Sequence, residues 1–213
     1  MANRPVFVPR KSKPFVNVFN PEFVWNSGLS PTQKKKNVAA LHEAFHYGFP
    51  DKKVLEISSK SSEELGIRLS AFNLKKFVPA LNQSVPVECI FQGSKVFAAG
   101  GPYTELYTAT SRQAKGDPRL KSSGALKRFH FDGRDFPLMP TTVFYDWLYI
   151  NALLENPELA QELMTYDAFT DIEFNPNRSL NCQARAAAQF VALSREGLID
   201  QCRDFDSFLS LMK

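Results

Sequence analysis

The chain has 213 residues and a formal net charge of +4, with 44% hydrophobic and 23% charged residues. That is enough chain for one full hydrophobic core and a small appendage, burying about 70% of the unfolded surface, so no disulfide framework is needed for stability. The 19 Phe are scattered among charged residues, which excludes a bilayer-spanning segment, and the first 11 residues lack the apolar run of a secretory leader, which predicts a cytoplasmic address.

Cys89, Cys182 and Cys202 are odd in number and far apart, with no Cys-x-x-Cys pair. This fits a reducing compartment and argues against a structural zinc site.

Residues 1–28 read as short extended pieces, Val6 to Val8, Phe15 to Phe19 and Phe23 to Trp25, broken by Pro and Asn. They predict an N-terminal extension or edge structure. Ser30-Pro31-Thr32-Gln33 then opens a helix, with Ser30 as N-cap, Pro at the first helical position and an apolar stripe of Val38, Leu41 and Phe45. Val54 to Ile57 predicts a strand, and Ser61-Ser62-Glu63-Glu64 repeats the capping-box pattern before a short helical turn. Pro86 to Ala98 reads as a compact helix, started by Pro86 and ended by Gly100-Gly101-Pro102. Phe129-His130-Phe131 and Phe136 flank Asp132-Gly133, a hairpin signature with a primed two-residue turn. The remaining pattern is helical over Thr142 to Leu154, Pro157 to Met164, Leu180 to Arg195 and Ile199 to Leu211, interrupted by an extended Phe169 to Phe174. The predicted fold class is α+β, predominantly helical, with a few short strands.

The charge is uneven. Residues 1–36 carry seven basic residues against Glu22 alone, and residues 112–134 carry seven against Asp117 and Asp132, so the rest of the chain is net acidic. Two basic segments on an acidic body suit a polyanion, because Lys and Arg that neutralise phosphates supply most nucleic-acid affinity. Solvated surface is the competing explanation.

Two constellations bear on chemistry. His42-Glu43-Ala44-Phe45-His46 matches H-E-x-x-H, the zinc-protease spacing that puts two imidazoles one helical turn apart. The longer H-E-x-x-H-x-x-G-x-x-H pattern fails, with Phe49 in place of Gly and Lys52 in place of His, so two histidines on an amphipathic helix is the favoured reading. In the second constellation, Glu88, Gln92 and Lys95 fall on one helical face bordering the apolar Val87, Ile90, Phe91, Phe97 and Ala98. Desolvation at such a border moves a carboxyl or ammonium pKa toward neutrality, as acid-base or amine-nucleophile chemistry requires. A solvated face with a Glu and a Lys has the same spacing.

Leu69-Ser70-Ala71-Phe72-Asn73-Leu74, followed by Glu88, Gln92 and Lys95, resembles the NADAR (YbiA-like) family, in which an L-S-N-F segment precedes an E-h-x-x-Q-x-x-K helix. Gly100-Gly101-Pro102-Tyr103-Thr104, Phe144-Tyr145-Asp146-Trp147-Leu148-Tyr149 and Asn181-Cys182-Gln183-Ala184-Arg185 are similar to the antitoxin subgroup paired with DarT-type toxins. The chain departs from the family at Ala71 and at the late D-x-x-W-G signature, where it offers Asp171 and Glu173.

The resemblance implies a single NADAR-like catalytic domain over residues 54–213, with residues 1–53 as extension and first helix. It implies an N-glycosidase that removes ADP-ribose from guanine in DNA as antitoxin to a DarT-type ADP-ribosyltransferase, with no cofactor and no metal. Glu88 and Lys95 would be catalytic. Ser70, Phe72, Asn73, Gln92, Gly101, Tyr103, Asp171, Glu173, Asn181, Gln183 and Arg185 would contact substrate, and Trp147 reads as core. The implied partners are single-stranded ADP-ribosylated DNA and the cognate toxin. A binding-only antitoxin and the His42/His46 metalloprotease are the alternatives.

Overall fold

The computed structural model describes residues 1–28, 30–177 and 179–213. In chain order the strands and helices are β1 (Ala2–Asn3), β2 (Val6–Pro9), β3 (Val16–Phe19), β4 (Glu22–Phe23), α1 (Pro31–His46), β5 (Val54–Glu56), α2 (Glu64–Arg68), β6 (Lys75–Val78), β7 (Gln83–Pro86), α3 (Val87–Gly93) and β8 (Lys95–Phe97). They continue with α4 (Ser111–Gly116), α5 (Arg119–Ser122), β9 (Leu126–Phe131), β10 (Arg134–Phe136), α6 (Val143–Leu154), α7 (Pro157–Leu163), β11 (Ala168–Thr170), α8 (Gln183–Arg195) and α9 (Phe205–Met212). The architecture is mixed α+β: helical residues outnumber strand residues, yet sheets set the arrangement.

The organising sheet has the order β3-β2-β11-β5, with β11 parallel to β5 and antiparallel to β2. Strand alternation gives each face its own core. Phe7, Leu55 and Phe169 point into the main core with α6 and α8. Val6, Val54 and Ala168 point the other way, against Val38, Leu41 and Phe45 of α1. The predicted α1 stripe is therefore what holds α1 to the sheet, and Ser30 caps its start by accepting from Gln33 N. Of the N-terminal pieces expected as extension or edge structure, β3 is an edge strand and β1 pairs with β4 apart from the main sheet, but β2 lies inside the sheet between β3 and β11.

Other expectations fare unevenly. The Asp132-Gly133 hairpin forms between β9 and β10, both turn residues having positive φ, as a primed turn requires. The Pro86 to Ala98 helix is shorter than predicted. It ends at Gly93, and Lys95–Phe97 becomes β8, because Val96 and Phe97 gain more from pairing with β9 than from another helical turn. Gly101 then reverses the chain at φ +85°, where an added Cβ would sit 2.2 Å from the Lys95 carbonyl oxygen. The Ser61 box does not form: Ser61 Oγ accepts from Glu63 N instead, and Glu63 opens α2 without a side-chain cap. The extended Phe169 to Phe174 segment stops at Thr170, and α8 begins at Gln183, not Leu180. Ile199 to Leu211 splits into a 3-10 turn, Ile199–Arg203, and α9, which Asp204 caps through Ser207 N.

Candidate active site

The Leu69 to Asn73 segment forms a tight turn that three elements hold in place. Tyr149 of α6 donates its hydroxyl to the Leu69 carbonyl at 2.7 Å. Gln183, the first residue of α8, accepts from Ala71 N at 2.7 Å and donates to the Ile57 carbonyl at 2.7 Å. Glu88 N donates to the Ala71 carbonyl at 2.9 Å, which fixes the start of α3 against the turn.

From there the polar constellation assembles. Gln92 Nε2 donates to Glu88 Oε1 at 2.9 Å, and Lys95 Nζ donates to Gln92 Oε1 at 2.6 Å, a continuous carboxylate-amide-ammonium chain. Glu88 and Gln92 are buried although both are polar, and Lys95 is partly buried with its Nζ 4.7 Å from the Phe91 ring centroid. Burial lowers the Lys95 pKa to about 8, with Lys115 reinforcing the shift and Glu88 opposing it. The helix break at Gly93 does not disperse these groups. Lys95 reaches back from the start of β8, and Gly93 lets the Tyr107 ring and Tyr103 carbonyl approach so closely that a Cβ would clash with both.

Lys115 of α4 lies over Phe72, 5.2 Å from its ring centroid, and its charge acts on both Lys95 and Asp171. Asp171 follows β11 and is buried, accepting from Glu173 N at 3.0 Å. Burial and the Glu56 carboxyl raise its pKa to about 8. Glu88, Lys95, Lys115, Phe72 and Asp171 thus form one electrostatic neighbourhood in which two of the charges are displaced toward neutrality, a pattern typical of catalytic sites.

The other predicted residues take different places. Ser70 and Asn73 hold the turn itself, both bonding the Ile67 carbonyl. Tyr103 bonds Ser123 and carries Arg119 over its ring at 4.2 Å. Glu173 faces outward and pairs with Lys34 at 3.1 Å. Arg185 pairs with the buried Asp146 and donates to Thr142, and Asn181 does not cap α8, which starts from Cys182. Trp147 packs among Phe136, Phe144 and Phe205, as expected of a core residue.

The two motif histidines part company. His42 Nε2 meets Thr170 Oγ1 at 2.8 Å and His46 Nε2 meets the Lys52 carbonyl at 2.9 Å; among the described residues no group of three His, Cys, Asp or Glu is placed to hold a metal ion.

A family model described as DarT1-associated NADAR antitoxin matches residues 2–213. The chain belongs to this family. A search of curated proteins found no match. Membership makes the NADAR fold's role here that of an antitoxin and its counterpart a DarT toxin. The match also takes in residues 2–53, in keeping with the insertion of β2 into the central sheet. Among the described residues, no helix is long and apolar enough to cross a membrane.

Lys115 and Glu56, whose charges both act on Asp171, are absent from the residues the sequence singles out. Lys115 counted only toward a basic segment, and nothing local distinguishes it. Glu56 had a signal: an acidic residue within Val54-Leu55-Glu56-Ile57 is a buried charge that needs partners.

Proposed function

We propose that this NADAR antitoxin hydrolyses the N-glycosidic bond between ADP-ribose and guanine in DNA, reversing the modification made by a DarT-type toxin. The observation that carries the reading is the buried Glu88–Gln92–Lys95 chain with its lowered ammonium pKa. An ordinary surface lysine is almost wholly protonated at neutral pH, whereas an ammonium with a pKa of about 8 supplies a useful fraction of free amine.

Two routes use these groups. In the first, Glu88 stabilises the oxocarbenium-like anomeric carbon and takes a proton from the attacking water, while Lys95 protonates the departing guanine amine. In the second, the ribose ring opens, Lys95 Nζ attacks the anomeric carbon and the guanine amine leaves with a proton. Water then hydrolyses the lysine Schiff base, and free ADP-ribose departs. Either way one water is consumed, the carbon-nitrogen bond breaks and the hydroxyl ends on the anomeric carbon. The lowered Lys95 pKa favours the second. Phe72 and Lys115 supply a stacking face and a cation for the nucleotide part, and Gln92 holds the two reacting groups in register.

Borohydride added during turnover of ADP-ribosylated single-stranded DNA tests both function and route. The expected result is release of ADP-ribose without added metal and a covalent adduct that disappears in Lys95→Ala. Full activity of Lys95→Ala would eliminate both routes.

A further inference from the structure

Glu56 is a buried carboxyl outside the Glu88–Gln92–Lys95 chain. Ser58 Oγ donates to its Oε1 at 2.6 Å, Ile172 N to the same oxygen at 2.9 Å, and Thr170 Oγ1 to Oε2 at 2.6 Å. Its carboxylate is therefore bonded to the residues on both sides of Asp171. The strand register places it there, since Glu56 of β5 sits opposite Thr170 of β11. Behind Thr170 stands His42 of α1, whose Nε2 contacts the same hydroxyl.

Two buried carboxyls gathered on the Thr170 to Ile172 stretch, the Glu56 charge acting on Asp171 and neither carboxyl in an ion pair among the described residues, do not both ionise around neutrality. Hydrogen-bond donors decide between them. Among the described residues Glu56 receives three, whereas Asp171 receives the Glu173 N–H alone. The Ser58 hydroxyl is committed to Glu56 because its oxygen already accepts from Lys60 N. With Thr170 donating to Glu56, His42 must in turn donate its Nε2 proton to Thr170. Burial keeps that imidazole neutral, its pKa lowered to about 4. Burial raises the Glu56 pKa, and each of these links opposes that shift by favouring the ionised form.

The geometry points to a division of labour: Glu56 holds the negative charge behind the site, and Asp171 enters the site as a protonated acid, a hydrogen-bond donor toward the substrate. Glu56 is a positioning residue in this arrangement, since it acts through Asp171. The groups facing Asp171 are consistent with it. Burial and the charges of Glu56 and Glu173 disfavour ionised Asp171. Tyr145, Tyr149 and Cys182 lie within reach of its charge, and the Glu173 N–H and Lys115 oppose the shift. For the reaction proposed above, on which the substrate side of this inference rests, Asp171 can give a proton to the ribose ring oxygen or the departing guanine amine and recover it from the incoming water.

A carbon-13 NMR titration of side-chain carboxyls in the free protein tests the pair without any activity measurement. In the wild type, Asp171 is expected to titrate above pH 7 and Glu56 below Asp171. Asp171 ionised throughout pH 5–8 would overturn the inference. In Thr170→Val, which removes one donor and the His42 link, the proton should move toward Glu56, lowering the Asp171 midpoint by about one unit or more. In Glu56→Gln the Asp171 midpoint should fall as well, and an unchanged midpoint in both variants overturns the pairing. If the wild type also hydrolyses ADP-ribosylated DNA, the basic limb of kcat/KM should follow Asp171 and shift with it in Thr170→Val. If it releases no ADP-ribose, the functional reading fails while the titration still decides the pair.

Discussion

At the scale of single residues, the proposed chemistry depends on Glu88, Lys95 and Asp171 sitting where water cannot fully solvate their charges. Replacing Glu88 with Gln keeps the shape and the bond to Gln92 while removing the negative charge, so ADP-ribose release should fall about 10²–10⁴-fold, the usual worth of a positioned acid-base group. Initial rates on modified DNA measure this, and a loss under threefold would remove Glu88 from the chemistry. Lys95 predicts the pH dependence. Its amine becomes available as pH rises toward about 8, so single-turnover rates should climb on the acid side of that point, before loss of the Asp171 proton sets the basic limb, and the adduct-forming fraction should climb with them. Asp171 has the opposite consequence for stability. Unfolded, it loses its proton near 3.8; folded, it keeps it to about 8. Between those values the folded state holds more protons, so Asp171 makes stability decline as pH rises. Urea midpoints of wild type and Asp171→Asn across pH 4–8 should differ progressively, with the variant flatter. Parallel curves would show that Asp171 titrates normally.

At the scale of elements, the site is a meeting of the Leu69 to Asn73 turn, α3, β8 and the end of β11. Gln183 is the clamp that ties turn and sheet to α8. Gln183→Ala orphans one buried donor and one acceptor, and should cost about 1–3 kcal/mol in urea unfolding while raising KM more than it lowers kcat. An unchanged unfolding midpoint would mean the turn holds without it. Much of this was legible in the sequence, because local chemistry decided it: the Ser30 cap, the α1 stripe, the Asp132-Gly133 turn and the order of Glu88, Gln92 and Lys95. What stayed hidden depended on distant pairing. Lys95 to Phe97 looked helical until β9 offered Val96 and Phe97 a partner. Gln183 looked like a ligand contact because the two backbone groups it satisfies lie more than 110 residues upstream. The turn after β11 buries Asp171 and sends Glu173 out to Lys34, a difference that depends on tertiary placement.

At the scale of the whole molecule, the two basic segments divide into committed and uncommitted charge. Arg119 is held by Glu105 and Asp117, Arg128 by Asp135, Arg134 by Asp206 and Lys34 by Glu173. Among the described residues, Lys35, Lys36, Arg112, Lys121 and Lys127 have no such partner. These are the cations expected to meet phosphates. Neutralising Lys35 and Lys36, or Arg112, Lys121 and Lys127, should weaken action on modified DNA and flatten its salt dependence by about one unit of slope for each phosphate left without its cation, leaving a small ADP-ribosyl nucleoside turned over as before. Equal effects on both substrates would detach the charge from the function. The most direct test of the proposed function is release of free ADP-ribose from an ADP-ribosylated guanine in single-stranded DNA, measured for wild type and for Glu88→Gln, Lys95→Ala together. Release by the wild type and none by the double variant is the predicted result. No release by the wild type, with the double variant still neutralising the toxin, would contradict it and make this NADAR antitoxin a binder.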